Sequence, residues 1–472
     1  MSVKSVLRDV LRKLTPTESE RQDMQLQVKK IIDVLTTGLK KSFSDFEVQV
    51  EGSIAKDTWL SNNREIDIFI LLPLETPRKL LKDVINAVKQ VISVPWVERY
   101  AEHPFLEFSI NEYKVEVVPC FKVRNLKKLK SAVDRTPFHT QYVKTHLTPQ
   151  LRDDVRLLKG FTNGIGVYGA ELKVGGFSGY LCELLILAYN GFLNLLQEAA
   201  SWKHGHIIDI KTHYKNAYEL RKLFDSPLIV VDPVDNSRNV ASALTLKNLS
   251  IFIAAAGEFF RTPHLHFFFP PTTPMLSISE VLSKMNSRGT HFLFLAFPAP
   301  SVVSDILWGQ LYKSVSALRT LLESNDFQVF RTDMWTDEQT LVVMIFELEH
   351  KTIPYVTKRS GPPVTLPQHT TNFTSKYIEN ENTLSGPYID EDGKWIVETK
   401  RSFTKAEDLL AKNLFSNDLE EIGLGKYVAM EMPSAKIYMD TEIESLLNEN
   451  QVFLDFFIEY LIKTPKWLMK SS

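Results

Sequence analysis

Gly52-Ser53, followed by Arg64-Glu65-Ile66-Asp67-Ile68-Phe69, sets the fold of this chain. The Gly-Ser pair closes an alternating run, Phe46, Val48 and Val50, which predicts a strand. Glu65 opens a second apolar run to Leu72. Successive side chains on a strand alternate faces, so Glu65 and Asp67 share one face. Two neighbouring carboxylates at the start of a buried strand repel each other and are costly to desolvate. A hard divalent ion such as Mg²⁺ removes both problems, because it takes carboxylate oxygens together with substrate phosphates. The Gly-Ser turn adds small side chains, N–H groups and a hydroxyl, all suited to phosphate. The joint expectation is metal-dependent nucleotidyl transfer.

Two metals in such a site share carboxylates, so two acids on one strand call for a third on a neighbour. Glu116, in Lys114-Val115-Glu116-Val117-Val118-Pro119-Cys120, is that candidate, with Val115 and Val117 on the other face of its strand. An acidic pair two residues apart is equally what a solvated strand face looks like. The upstream Gly52-Ser53 and the downstream Glu116 tilt the balance toward metal. A triphosphate also needs cations and hydroxyls. Lys56, Lys159, Tyr168 and, for a ribose hydroxyl, His139 are candidates, although each also reads as an ordinary surface or structural residue. Lys122, Arg124, Lys127, Lys128 and Lys130 form a basic stretch that fits either a phosphate-tracking segment or a solvated helix.

Lys plus Arg is 55 and Asp plus Glu is 57, so a nucleic-acid surface would have to be a local patch. Two cysteines, Cys120 and Cys182, exclude a disulfide framework and a cysteine-based zinc site. No apolar run reaches the ~20 residues of a membrane span, and a soluble cytoplasmic protein is expected. An amphipathic helix carries Val6, Leu7, Val10, Leu11 and Leu14. Thr15-Pro16-Thr17-Glu18 predicts a capped helix running to about Lys41. Residues 1–145 read as a mixed α/β domain and 146–262 as helical, including one buried helix over Leu181–Leu196. Proline thickens between Thr262 and Pro274, marking a linker. Beyond it, 263–472 gives a β-α-β-β run of split βαβ type and an Asp392-Gly393 hairpin. The fold class is α+β.

Several longer runs resemble the archaeal (class I) CCA-adding tRNA nucleotidyltransferases, within the DNA polymerase β-like superfamily. They are Arg99-Tyr100-Ala101-Glu102-His103-Pro104, Ser131 to His139, Leu157-Leu158-Lys159-Gly160-Phe161, Val167 to Glu171, Gly176 to Glu183, and Val231 to Asp235 with Arg238-Asn239-Val240-Ala241. The resemblance implies template-free addition of C, C and A to the tRNA 3′ end from CTP and ATP with Mg²⁺. It implies a polymerase β-like head, a helical central domain, and a C-terminal body and tail on the tRNA acceptor and TΨC arms. Family members often dimerise, so a homodimer is one candidate assembly, and the sequence itself does not fix the oligomeric state. By position, Glu65, Asp67 and Glu116 would hold metal. Gly52, Ser53, Lys56, His139, Lys159 and Tyr168 would hold the nucleotide's triphosphate and ribose, and Arg238 would help read the base. Two positions depart from the family pattern: Glu116 stands where Asp is usual, and Lys56 where Arg is usual. A poly(A) polymerase or oligoadenylate synthetase relative, a catalytically weak tRNA-binding protein and an antibiotic nucleotidyltransferase are the rival readings.

Overall fold

The computed structural model describes residues 2–100, 103–415 and 419–469. Ala101 and Glu102 of the family-like run at 99–104 lie outside them. The chain forms two compact units, Met1–Thr272 with Thr464–Ser472, and Thr273–Lys463.

The first unit begins with α1 (Val3–Leu14), whose Val6, Val10 and Leu14 are buried at helical spacing. α2 (Glu18–Leu39) is capped by Thr17 rather than Thr15, in a reciprocal box with Glu20. Pro16 therefore lies ahead of the cap and not at the first helical position. Next come β1 (Glu47–Val50), α3 (Gly52–Lys56), β2 (Glu65–Pro73), α4 (Leu80–Val91), β3 (Trp96–Tyr100), β4 (Pro104–Ile110) and β5 (Tyr113–Lys122). They build a five-stranded sheet in the order β1-β2-β5-β4-β3. Only β2 and β5 pair in parallel. Ile66, Ile68, Ile70, Val115 and Val117 bury one face under α2 and α4. The other face carries Glu65, Asp67, Lys114 and Glu116 at the strand starts. Past β5 the basic stretch makes no solvated helix, only a short 3₁₀ turn at Leu126–Lys128. Lys122 donates to Glu47 at 2.6 Å, and Lys130 donates to the Leu74 and Thr76 carbonyls.

A helical layer completes this unit: α5 (Thr136–His146), α6 (Pro149–Gly164), α7 (Gly179–Tyr189), α8 (Phe192–Ala199), the short pair β6 (His206–Ile208) and β7 (Leu228–Val230), α9 (Ala217–Leu223) and α10 (Leu246–Arg261). The single helix expected over 181–196 is in fact two, α7 and α8, bent by 91°. Asn190 (φ 52°) and Gly191 (φ 135°) make the corner. Both lie in the left-handed region that Asn and Gly tolerate best. Among the described residues no single helix is long and apolar enough to cross a membrane. Phe161 sits among Phe192, Phe252, Phe259, Phe267 and Phe268 at the centre of this layer. Leu14 of α1 presses onto Gly160 of α6, where any Cβ would collide with it.

The second unit contains α11 (Ile278–Ser287), β8 (His291–Pro298), α12 (Ser304–Ser324), β9 (Val329–Thr336) and β10 (Leu341–Leu348). β10 lies between β8 and β9 and runs antiparallel to both. β8 and β9 are thus parallel, joined by α12 and split by β10, as the sequence pattern predicts. β11 (Val356–Pro363), α13 (Pro367–Tyr377), β12 (Thr383–Ile389) and β13 (Lys394–Lys400) form a three-stranded sheet with one helix. The Asp392-Gly393 hairpin joins β12 to β13 through residues 390–393, with Gly393 at φ 72°.

Candidate active site

Asp67 and Glu116 are register partners across the parallel pair β2–β5, and Glu65 lies opposite Lys114. Burial, the Glu116 charge and then the Glu65 charge push the Asp67 carboxyl up to about 6. That shift reports carboxylates crowded on one face without enough countercharge. Lys114 Nζ supplies part of it, 2.9 Å from Glu116 and 3.1 Å from Glu107. Among the described residues no group of three or more His, Cys, Asp or Glu side chains is gathered closely enough to hold a metal ion as they stand. Glu116 is turned toward Lys114 instead. An all-carboxylate donor set on adjacent strands, short of positive charge, nonetheless fits a hard divalent cation.

Gly52 approaches from above. Its φ is +63°, and a Cβ there would run into the Asp67 carboxylate. Gly52-Ser53 is the start of α3 and not a free turn. α3 ends at Asp57 (φ 53°), whose carboxylate draws in Arg21 of α2 and Arg156 of α6 at 2.5 and 2.7 Å.

The remaining predicted residues meet around the first turns of α7. Gly179, which opens α7, lies against Tyr168 Oη and Lys159 Nζ. Lys56 Nζ donates to Glu183 at 2.6 Å and lies 5.8 Å above the Tyr180 ring. Tyr180 stacks on His139, with ring centroids 4.1 Å apart. Its hydroxyl donates to Asp232 at 3.1 Å. Asp232 is fully buried and also pairs with His139 Nε2 at 2.9 Å and with Arg238 at 3.1 Å. Burial opposes its ionisation, yet His139, the Val234 N–H and Arg238 hold its carboxyl down at about 2. Burial lowers the His139 imidazole from its usual value despite Asp232. Asn239 pins the Arg238 loop, accepting from the Val230 and Ala241 N–H groups at 2.8 and 3.0 Å.

The geometry therefore forms two neighbouring sets. Glu65, Asp67, Glu116, Gly52 and Ser53 gather at one end of the inner strands β2 and β5. Lys56, Lys159, Tyr168, His139 and Arg238 gather around α7 and Asp232. Lys56 links them, since its charge acts on both Asp67 and His139. Sequence reasoning gave no role to Tyr180, Glu183 or Asp232. Glu183 carried a usable signal: a lone acid in a helix apolar on nearly every face must find a cation.

Residues 32–139 match the nucleotidyltransferase domain family, 153–269 the second domain of tRNA nucleotidyltransferases, and 288–440 the C-terminal domain of CCA-adding enzymes. A CCA-adding enzyme of Methanosarcina acetivorans is 40% identical over 94% of this chain and 96% of its own length. The chain belongs to the CCA-adding enzyme family. A relative of that name in Methanosarcina mazei is 42% identical over 87% of this chain and 89% of its own. One in Halobacterium salinarum is 33% identical over 96% and 98%. The Cid1 poly(U) polymerase structure is also similar, at 15% identity and a TM-score of 0.44, covering 57% of this chain and 99% of that one.

Proposed function

We propose that Glu65, Asp67 and Glu116 are the metal-holding acids with which this member of the CCA-adding enzyme family adds C, C and A to tRNA 3′ ends from CTP and ATP. The observation that carries the reading is the Asp67–Glu116 register on adjacent parallel strands, with Asp67 held up at about 6 by burial and by its acidic neighbours. Bound Mg²⁺ would neutralise the triphosphate and acidify the attacking 3′-hydroxyl. The chain's own residues do the rest. Ser53, Lys56, Lys159 and Tyr168 hold the triphosphate, their charge-assisted hydrogen bonds fixing it in line with the hydroxyl. His139, kept neutral by burial, donates Nε2–H to Asp232 and leaves Nδ1 to accept from a ribose hydroxyl. Arg238, anchored by Asp232, presents its remaining donors to the base edge.

The three matched stretches, 32–139, 153–269 and 288–440, follow the same order as a head over 1–145, a helical central domain over 146–262 and a tRNA-binding body and tail over 263–472. That order supports the same three-part division here. The deciding test is incorporation of labelled CTP and ATP into tRNA lacking its CCA, with and without Mg²⁺, for wild type and Glu116→Asp. Mg²⁺-dependent addition limited to C, C and A by wild type supports the reading. Inert wild type with active Glu116→Asp would mean that the longer side chain disables the site. Both inert, with tRNA still bound, would favour a binding protein.

A further inference from the structure

Glu183 is 0% exposed on a helix whose neighbouring residues Leu181, Cys182, Leu184, Leu185 and Ile186 are all buried. Its two oxygens are fully engaged. Oε2 accepts from Lys56 Nζ at 2.6 Å and Oε1 from the Thr58 hydroxyl at 2.7 Å. Lys159 Nζ donates to the Thr58 carbonyl at 3.0 Å and to the same hydroxyl at 3.1 Å, and lies 3.7 Å from Oε1. The Thr58 hydroxyl thus relays one carboxylate to the second ammonium. We infer that Glu183 is a positioning residue for nucleotide binding: it holds Lys56 and Lys159 together, charged and oriented, for the triphosphate. This rests on the assignment of those two lysines to the triphosphate.

Donor arithmetic supports it. An ammonium has three N–H groups. Lys56 uses one on Glu183 and Lys159 uses two on Thr58, so each keeps donors for phosphate oxygens. Two buried ammonium groups sharing one site also need a fixed anion, or one of them sheds its proton. Lys159 is the one at risk. Burial lowers it from the usual lysine value, Glu183 opposes that, and Lys56 and Arg156 add to it. Cys182 and the Tyr168 hydroxyl complete its titratable surroundings. A single carboxylate for two lysines leaves net positive charge, which a triphosphate then satisfies.

The test is steady-state incorporation of CTP and ATP by wild type, Glu183→Gln, Glu183→Asp, Lys56→Ala and Lys159→Met. Glu183→Gln keeps the shape and removes the charge. It is expected to raise KM for both nucleotides roughly tenfold or more, with KM for tRNA unchanged. That KM should climb further as pH rises, because Lys159 sheds its proton more readily without the Glu183 charge, while wild type changes less. Glu183→Asp should recover part of the loss. If Lys56→Ala and Lys159→Met raise the nucleotide KM while Glu183→Gln leaves both KM and its pH profile as in wild type, the inference is overturned. If the two lysine variants leave the nucleotide KM unchanged, the assignment beneath it fails instead. Should Glu183→Gln not fold, Thr58→Val cuts the relay alone. A smaller rise in nucleotide KM is then expected, and no rise overturns the inference.

Discussion

Two acidic sites in the first unit, a partly exposed trio on the sheet and the buried Glu183 on α7, meet opposite electrostatic fates. At the starts of β2 and β5, Glu65, Asp67 and Glu116 crowd one another, and burial together with Glu116 drives Asp67 up to about 6. On α7, Glu183 is more deeply buried, yet Lys56 and Lys159 overcome that burial and hold it below its usual value. The difference lies in where the countercharge comes from. Glu183 receives it from the chain. The sheet acids receive only Lys114, shared with Glu107, and the charge of Lys56, which is itself paired with Glu183. A carboxylate group left short of cation within a fold is arranged for one that arrives from solution.

The largest expected effect comes from removing the under-neutralised cluster. Asp67→Ala should cut CCA incorporation by roughly 10³-fold or more and leave tRNA binding nearly intact; filter binding alongside incorporation checks this. Retained turnover would end the distinction between the two clusters. Gly52→Ala should come next, because the new Cβ strikes the Asp67 carboxylate at a φ of +63°. A loss of about 1–3 kcal/mol in denaturant unfolding and a sharp fall in kcat are expected. Lys114→Met sharpens the comparison from the other side. Lys114 is substantially exposed, so the metal-free protein should lose only about 0.5–1 kcal/mol. Thermal melts should show Mg²⁺ stabilising the variant more than wild type.

A comparably small effect tests a third way to satisfy an acid. Burial works against the Glu20 carboxyl, but hydrogen bonds from the Thr17 and Asn62 N–H groups and the Ser61 hydroxyl pull it to about 2. Its folded value lies below the unfolded 4.5, so it stabilises the protein above 4.5 and that contribution fades as pH falls toward 2. Glu20→Gln should lower stability at neutral pH by about 1 kcal/mol. The gap to wild type should close as acid is added, which denaturant melts at several pH values would record.

The acidic trio was largely legible in the sequence, because strand alternation places 65, 67 and 116 on predictable faces. The α7 cluster was legible only in part. Lys56 and Lys159 could be named as candidates, but their partner lies more than a hundred positions further along the chain from Lys56, and no local pattern encodes such a pairing. The same limit hid Asp232 as the anchor of His139 and Arg238. Local misreadings had local causes. Continuous apolarity over 181–196 reads as one helix, although Asn190-Gly191 inside it holds the left-handed corner signal. Thr15 and Thr17 each have a Glu three residues on, and only Thr17 closes the reciprocal box, with Glu20.

Residues 464–469 belong with the first unit, not the second. Trp467 stacks on Phe267 at 5.5 Å, and His266 Nδ1 meets the Met469 carbonyl at 3.1 Å across a separation of 203 residues. The second unit is therefore an insertion within one end of the first. During synthesis Phe267 must wait for the whole of that insertion before its ring partner emerges. Closing so long a loop adds only a logarithmic entropy penalty, so the seam is tolerable once made but late to form. Amide exchange should find it opening before the Phe161 core does, making it the seam where proteases and refolding errors enter first.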